Sequence, residues 1–199
     1  MGPDASFEKR YLAHGHRYIA GVDEVGRGCL AGPVVAAAVI LDMERIPDGL
    51  NDSKKLSPAK RKQLDTLVRD SAVSFAIGVG HVEEIDTINI LNASKLAMVR
   101  AVQTLQPGPT LLLLDGNFRI DLEMPQVPIV KGDQKSVSIA AASILAKVYR
   151  DALMIQMDTD YPGYDFASHK GYGSKAHRVF LQSIGPSPIH RKSFQWTPV

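Results

Sequence analysis

Two short runs dense in apolar residues lie near the N-terminus, one over Tyr18–Val25 and one over Gly32–Leu41. Their β-branched content, and the Gly32-Pro33 pair that opens the second, predict strands rather than helices. Ser74–Val79 predicts a third. Between the second and third, SPAKRKQLDTLVRDS sets Leu64, Leu67 and Val68 on one side of a helix, with Ser57 placed to cap it and Pro58 at its first position. Over Glu83–Leu105 the residues Ile85, Ile88, Leu96, Val99 and Val102 recur near helical spacing until Pro107-Gly108-Pro109 stops them. TLLLLDG is a continuous apolar run of strand length that ends on an acid and a glycine, as a strand covered on both faces of a parallel sheet does. QVPIV predicts one more strand. KGDQKSVSIAAASILAKVYRDALMIQMD reads as a long helix rich in Ala and Ser, suited to close packing, and SKAHRVFLQSI, residues 174–184, as a final helix.

Three early strands followed by alternating helix and strand point to an α/β fold with a mixed sheet and covering helices. The first three, close in sequence, suit an antiparallel meander. No repeat, low-complexity tract or linker divides the 199 residues, so residues 1–199 are expected to form a single domain. Polar residues 1–17 are expected to be a loosely ordered N-terminal extension.

Composition changes this picture little. A content of 45% hydrophobic and 22% charged residues suits a globular chain with a full core. A net charge of +2 permits a nucleic-acid partner without arguing for one. One cysteine, Cys29, cannot make an internal disulfide and reads as a core or turn residue. The longest apolar run, Val34–Leu41, is too short to cross a bilayer, and no stretch has the order of a signal peptide. A cytoplasmic monomer without a membrane partner is expected.

Candidate chemistry sits where the apolar runs stop. GVDEVGRG, Gly21–Gly28, ends the first run on two adjacent acids, Asp23 and Glu24, then places Arg27 between glycines. Asp115 ends LLLLD, and Asp133 stands just before the Ala-rich helix. If strands one and four are neighbours, Asp23 and Asp115 converge at one sheet edge, where α/β folds often build their sites. Singly, each acid has a plainer reading: Asp133 as a helix cap, Asp115-Gly116 as a turn. Jointly they resist it, because both strands run apolar up to a carboxylate and stop. Two like charges 4 Å apart repel by about 4 kcal/mol at an effective dielectric near 20, so four gathered acids need a cation. All-oxygen donors suit Mg²⁺ or Mn²⁺, and the lack of a histidine beside them in sequence disfavours zinc.

Adjacent residues on a regular strand point to opposite faces. Asp23 and Glu24 therefore share a site only if the strand bends, with Gly26 and Gly28 free to absorb the bend, or if an ion sits at the strand edge. Gly26-Arg27-Gly28-Cys29-Leu30-Ala31 fits dinucleotide-loop spacing, but such a loop should open a helix, whereas Pro33 and VVAAAVIL point to a strand. The six histidines are scattered and read mostly as surface or hydrogen-bonding residues. Asp151, in KVYRD, competes with Asp133 for a place in the site but lies several turns along the helix and reads as salt-bridging.

Taken in order, VDEVGRGCLAGPVVAAAVIL, NDSKKLS, LLLLDGN, KGDQKSVSIAAASILAKVYRD, YPGYDFASHKGYGSKAH and GPSPIHRKSF span roughly residues 20–194. With these segments the sequence resembles ribonuclease HII, the bacterial type 2 ribonuclease H. It departs at Cys29, Gln134 and Asp165, where that family more often has Pro, Ala and Gly. The resemblance implies a ribonuclease H-like mixed five-stranded sheet with flanking helices and a small C-terminal helical extension, about residues 160–199, that binds substrate. It implies an endonuclease that cuts the RNA strand of RNA–DNA hybrids and nicks at ribonucleotides embedded in duplex DNA, leaving 5′-phosphate and 3′-hydroxyl ends. Asp23, Glu24, Asp115 and Asp133 are then the catalytic acids that hold Mn²⁺ or Mg²⁺, in a two-metal mechanism. The Gly26-Arg27-Gly28 turn approaches the ribose 2′-hydroxyl, Tyr172 packs on the neighbouring sugar, and Ser53 and Lys54 meet a phosphate. The cluster Lys54, Lys55, Lys60, Arg61 and Lys62 also reads as a solvated helix face, of which only part is expected to touch the duplex, and Lys170, Lys175 and Arg178 are expected to extend the track.

Two rivals make different demands. A nucleotide-binding ATPase or sugar kinase on a related core would bind ATP and leave hybrids intact. A non-catalytic nucleic-acid module would bind hybrid as well without the acids.

Overall fold

The computed structural model describes residues 2–198. Strands β1 (Ile19–Val25), β2 (Val34–Leu41) and β3 (Ala72–Gly80) form the antiparallel meander, and β4 (Leu111–Asp115) and β5 (Gln126–Ile129) join β1 in parallel. The five strands lie in the order β3-β2-β1-β4-β5, a mixed sheet. Helices α1 (Ser6–Ala13), α2 (Pro58–Ser71), α3 (Val82–Thr104), α4 (Val137–Asp160), α5 (Phe166–His169) and α6 (Lys175–Ile184) surround it. The expected KGDQ start of the long helix is instead a separate 3-10 turn, Gly132–Gln134, and a second such turn covers Ser53–Lys55.

Side-chain alternation divides the core into two layers. Ala20, Val22, Leu112 and Leu114 face α3, packing on Ile85, Ala97, Met98 and Ala101. Val25, Val35, Ala37 and Val39 face the other way, against Leu64 and Val68 of α2 and the alanines of α4. All eight residues of β2 are buried, which is why that strand reads as one uninterrupted apolar run.

Helix α4 starts at Ser136, whose hydroxyl accepts the Ile139 N–H. Its first turn rides directly on β1. A Cβ at Gly21 would stand 2.1 Å from the carbonyl carbon of Ser138, so only glycine admits the helix at this spacing.

Within the expected loose N-terminal extension, of which residues 2–17 are described, helix α1 is packed. Phe7, Tyr11 and Leu12 of α1 pack on Ile19, Leu111, Leu113 and Ile129. Glu8, only 1% exposed, accepts the Ser136 hydroxyl at 2.5 Å and the Ser138 N–H at 3.0 Å. A carboxylate at the positive end of α4 is favourable, and it ties the N-terminal segment to the helix that carries the site. Helix α3 is two segments meeting at Asn89, which has φ 68 and whose side chain accepts the Asn92 N–H and so caps the second segment. Among the described residues no helix is long and apolar enough to cross a membrane.

Candidate active site

Pairing between β1 and β4 stops at Val22 with Leu114, one residue short of Asp23 and Asp115. Both acids follow the odd-numbered residues onto the α4 side of the sheet, at the carboxyl ends of neighbouring parallel strands. Glu24 falls on the opposite side, because β1 stays paired with β2 through Val25 without a bend. The strand turns only afterwards, at Gly26, with φ +96. Where β4 has ended, the Glu24 amide is taken up by Asp23 Oδ1 at 2.8 Å. Asp133 arrives from the 3-10 turn before α4, and the adjoining Gly132 N–H donates to Asp115 Oδ1 at 2.6 Å.

The four carboxylates feel one another. Burial lifts Asp23 well above the usual carboxylate range, and the charges of Glu24, Asp115 and Asp133 add to it against a hydrogen bond from Ser143. Burial also raises Glu24, opposed by Arg27 and reinforced by Asp115. Asp133 is pushed up to about 6 by burial, then by Asp115 and Asp52, with Lys54 opposing. The neutral forms are favoured because like charges crowd a poorly solvated spot.

Among the described residues, no three His, Cys, Asp or Glu side chains already gather closely enough to hold an ion. Each carboxylate has a protein partner instead: Asp23 has Ser143, Glu24 has Arg27 at 3.2 Å, Asp115 has Gly132, and Asp133 has Asp52. The donor set nevertheless suits a hard divalent cation. It is all oxygen, its members repel one another, and Glu24 Oε2 is buried without a partner.

The turn after the acids is held from behind by two buried arginines that have only backbone carbonyls as hydrogen-bond acceptors. Arg150, fully buried in α4, donates to the carbonyls of Pro33, Lys170 and Ala31. Arg191, 3% exposed, donates to those of Gly26, Arg27 and Gly32. Burial pulls Arg191 down to about 10, so it stays charged at neutral pH. A side chain at Gly26 would strike the Arg150 guanidinium at 2.2 Å, whereas nothing stands within 4 Å of a Cβ at Gly28. The turn leads into β2 and opens no helix, which removes the structural basis of the dinucleotide-loop spacing.

Other expected site residues divide. Tyr172 is 37% exposed, its ring lying under Lys147 Nζ at 5.5 Å and Arg150 Cζ at 5.8 Å. Its backbone bridges to Cys29, a buried thiol that burial pushes up, in keeping with a passive role. Lys54 is exposed. Ser53 is not: its hydroxyl is buried 2.9 Å from that of Ser143, the partner of Asp23, so it supports the acids rather than facing solvent. Asp151 is occupied by Lys147 at 2.7 Å, one turn away on α4.

Sequence reasoning missed Asp52, which is buried, caps the Ser53–Lys55 turn through the Lys54 N–H and bears on Asp133. It also missed that His169, His177 and His190 converge. A cavity of about 690 Å³ opens between α2, α4 and the Ser168–Tyr172 segment rather than over the acids, with Arg61, Lys62, Lys147, Lys170 and Tyr172 among its walls. Asp65 and Asp151 also line it, so the groove is basic on balance, with the Tyr172 ring in its wall.

A family model described as Ribonuclease HII matches residues 20–197. The ribonuclease HII of Caulobacter vibrioides is 53% identical over 198 residues, covering 100% of this chain and 92% of that protein. Among solved structures, the ribonuclease H2 of Pyrococcus horikoshii superposes with a TM-score of 0.74 at 29% identity, over 90% of this chain and 94% of the other. The ribonuclease HII of Archaeoglobus fulgidus, solved in complex with PCNA, gives 0.77 at 26% identity, over 92% and 98%.

Proposed function

The chain belongs to the ribonuclease HII family and is a ribonuclease H endonuclease; from that premise we propose that it nicks beside single ribonucleotides in duplex DNA as well as cutting the RNA strand of RNA–DNA hybrids. The observation that carries this reading is the convergence of Asp23, Glu24, Asp115 and Asp133, from three separate stretches, into one repulsive field beside an arginine-held turn. These four would hold Mg²⁺ or Mn²⁺. When bound, two such ions supply an activated water and neutralise charge on the scissile phosphate.

The chain's own residues handle substrate. Arg150 and Arg191 fix the backbone from Gly26 to Pro33. The amides of Cys29, Leu30, Ala31 and Gly32 are taken by backbone carbonyls, so the turn around Arg27 and Gly28 would meet the 2′-hydroxyl, the group that separates RNA from DNA. The open space at Gly28 leaves room for a sugar there. Arg27, 42% exposed along its side chain, can exchange Glu24 for a phosphate. Tyr172 would pack on the adjoining sugar, and Lys54 with the groove of Arg61, Lys62, Lys147 and Lys170 would follow the backbone into the C-terminal helical part. All four acids belong to one chain, so a monomer suffices, and one buried cysteine suits the cytoplasm.

The test is a duplex carrying one ribonucleotide, incubated with Mg²⁺ or Mn²⁺ and then with chelator. A nick leaving a 5′-phosphate and a 3′-hydroxyl is expected, lost in chelator and in Asp115→Asn. Cleavage that survives chelator, or an intact duplex beside a cut long hybrid, would overturn it.

A further inference from the structure

Behind Tyr172 the rings of His169, His177 and His190 pack together. His169 stacks on His177 with centroids 4.1 Å apart, and His190 tilts against His177 at 5.1 Å. His177 and His190 are buried, sealed in by Phe166 and Tyr164.

Hydrogen-bond partners fix where the protons lie. The Ser187 N–H points at His190 Nδ1 at 2.8 Å, so that nitrogen is bare and the neutral ring carries its proton on Nε2. His190 Nε2 lies 2.9 Å from His177 Nε2, which must then accept. The proton of His177 is left on Nδ1, where it donates to the Tyr172 carbonyl at 2.9 Å. His169 is set in the same manner: its Nδ1 accepts the Gly171 N–H at 3.1 Å and its Nε2 donates to the Tyr164 carbonyl at 2.7 Å. Imidazoles therefore grip the chain on both sides of the Gly171–Tyr172 peptide bond.

We propose that His177 and His190 form a one-directional hydrogen-bond relay, from the Ser187 amide to the Tyr172 carbonyl, that positions Tyr172 for its discrimination between a single ribonucleotide and continuous RNA. This rests on the reading of Tyr172 as a sugar contact. No proton is transferred along the relay; its function is orientation, and it requires both rings neutral. Burial meets that requirement by lowering both rings to about 4. The pair faces His169 from α5, Tyr164 before α5, and Ser187 from the C-terminal segment.

Two measurements test it. Nitrogen-15 NMR of the imidazoles in the whole protein at pH 7 should find His190 protonated only on Nε2 and His177 only on Nδ1. The opposite tautomers, or rings exchanging between the two, overturn the relay whatever Tyr172 does. The second measurement is the ratio of cutting at one embedded ribonucleotide to cutting of a long hybrid. His177→Asn keeps a donor at the δ position facing Tyr172, whereas His177→Gln moves the amide outward and removes it. Loss of one such hydrogen bond corresponds to about a threefold to tenfold change. The ratio should fall by that much in His177→Gln and stay within about twofold in His177→Asn, although both lose the ring's packing. Equal ratios in the two variants overturn the positioning role. Tyr172→Ala separates the failures: if it leaves the ratio unchanged, Tyr172 is not the reader and the functional half falls, while the NMR assignment is judged on its own.

Discussion

Replacing Asp133 by asparagine should strengthen the metal-free fold while abolishing cutting. Burial and two neighbouring carboxylates, Asp115 and Asp52, raise Asp133 from 3.8 to about 6. Above pH 6 the group is ionised both folded and unfolded, so the fold carries the whole penalty. Between 6 and 3.8 the folded protein takes up the proton first, and the penalty fades as pH falls. At 1.36 kcal/mol per pKa unit the shift corresponds to about 3 kcal/mol, and partial solvation reduces the recoverable part to about 1–3 kcal/mol. Asparagine removes the charge and can still donate to Asp52, as only a protonated Asp133 could. For a chain of this size the gain is roughly 2–10 °C in Tm. Thermal unfolding followed by circular dichroism, with chelator at pH 8 and again at pH 4, measures it. A variant no more stable than the parent at pH 8, or equally favoured at pH 4, would refute the account of the acids as a repulsive cluster. Added Mg²⁺ or Mn²⁺ should stabilise the parent more than the variant.

The histidine pair should act in the opposite sense. With folded values near 4 against 6.5 unfolded, its stability is complete above pH 6.5 and lost as pH falls towards 4, by about 3 kcal/mol for each ring titrating alone; denaturant unfolding of Asp133→Asn, freed of the compensating carboxylate, should show it, and a flat profile would count against buried neutral rings. Gly21→Ala should cost about 1–3 kcal/mol or more and blunt cutting, because the new methyl meets α4 backbone at 2.1 Å rather than a yielding side chain. An unchanged urea midpoint would mean that α4 can lift without penalty. Lys54→Ala should weaken hybrid binding and flatten its dependence on salt by about one counterion, measured by titration at several ionic strengths; an unaltered slope excludes a phosphate contact.

The sheet was legible because its strands are apolar on both faces and stop on charge: LLLLD and VVAAAVIL can hardly be anything else. The candidate acids stood out for a related reason, since two such runs each stop on a carboxylate, Asp23 and Asp115, although either alone reads as an ordinary turn residue. Long-range pairing of polar groups left no mark in the sequence. Glu8 looks like one more charge in a polar N-terminal segment until α4 places its amides over it. Nothing beside Asp52, Arg150 or Arg191 in the sequence marks the distant groups they meet. His169, His177 and His190 are spread over 22 residues and meet only because α5, α6 and the C-terminal segment fold over one another. Asn89 sits inside a convincing helical period, and its backbone conformation breaks that period without any proline to warn of it.

Arg191 is joined to the Gly26–Gly32 carbonyls across 159 to 165 positions of chain. A ribosome will already have released β1 and both of its acids when nothing yet exists to hold the turn beside them. The nascent polypeptide thus carries both acids through at least 165 further residues of synthesis before the guanidinium reaches the turn and locks it. A product ending before that arginine would leave the Gly26, Arg27 and Gly32 carbonyls without their donor, and the turn beside the acids unsecured.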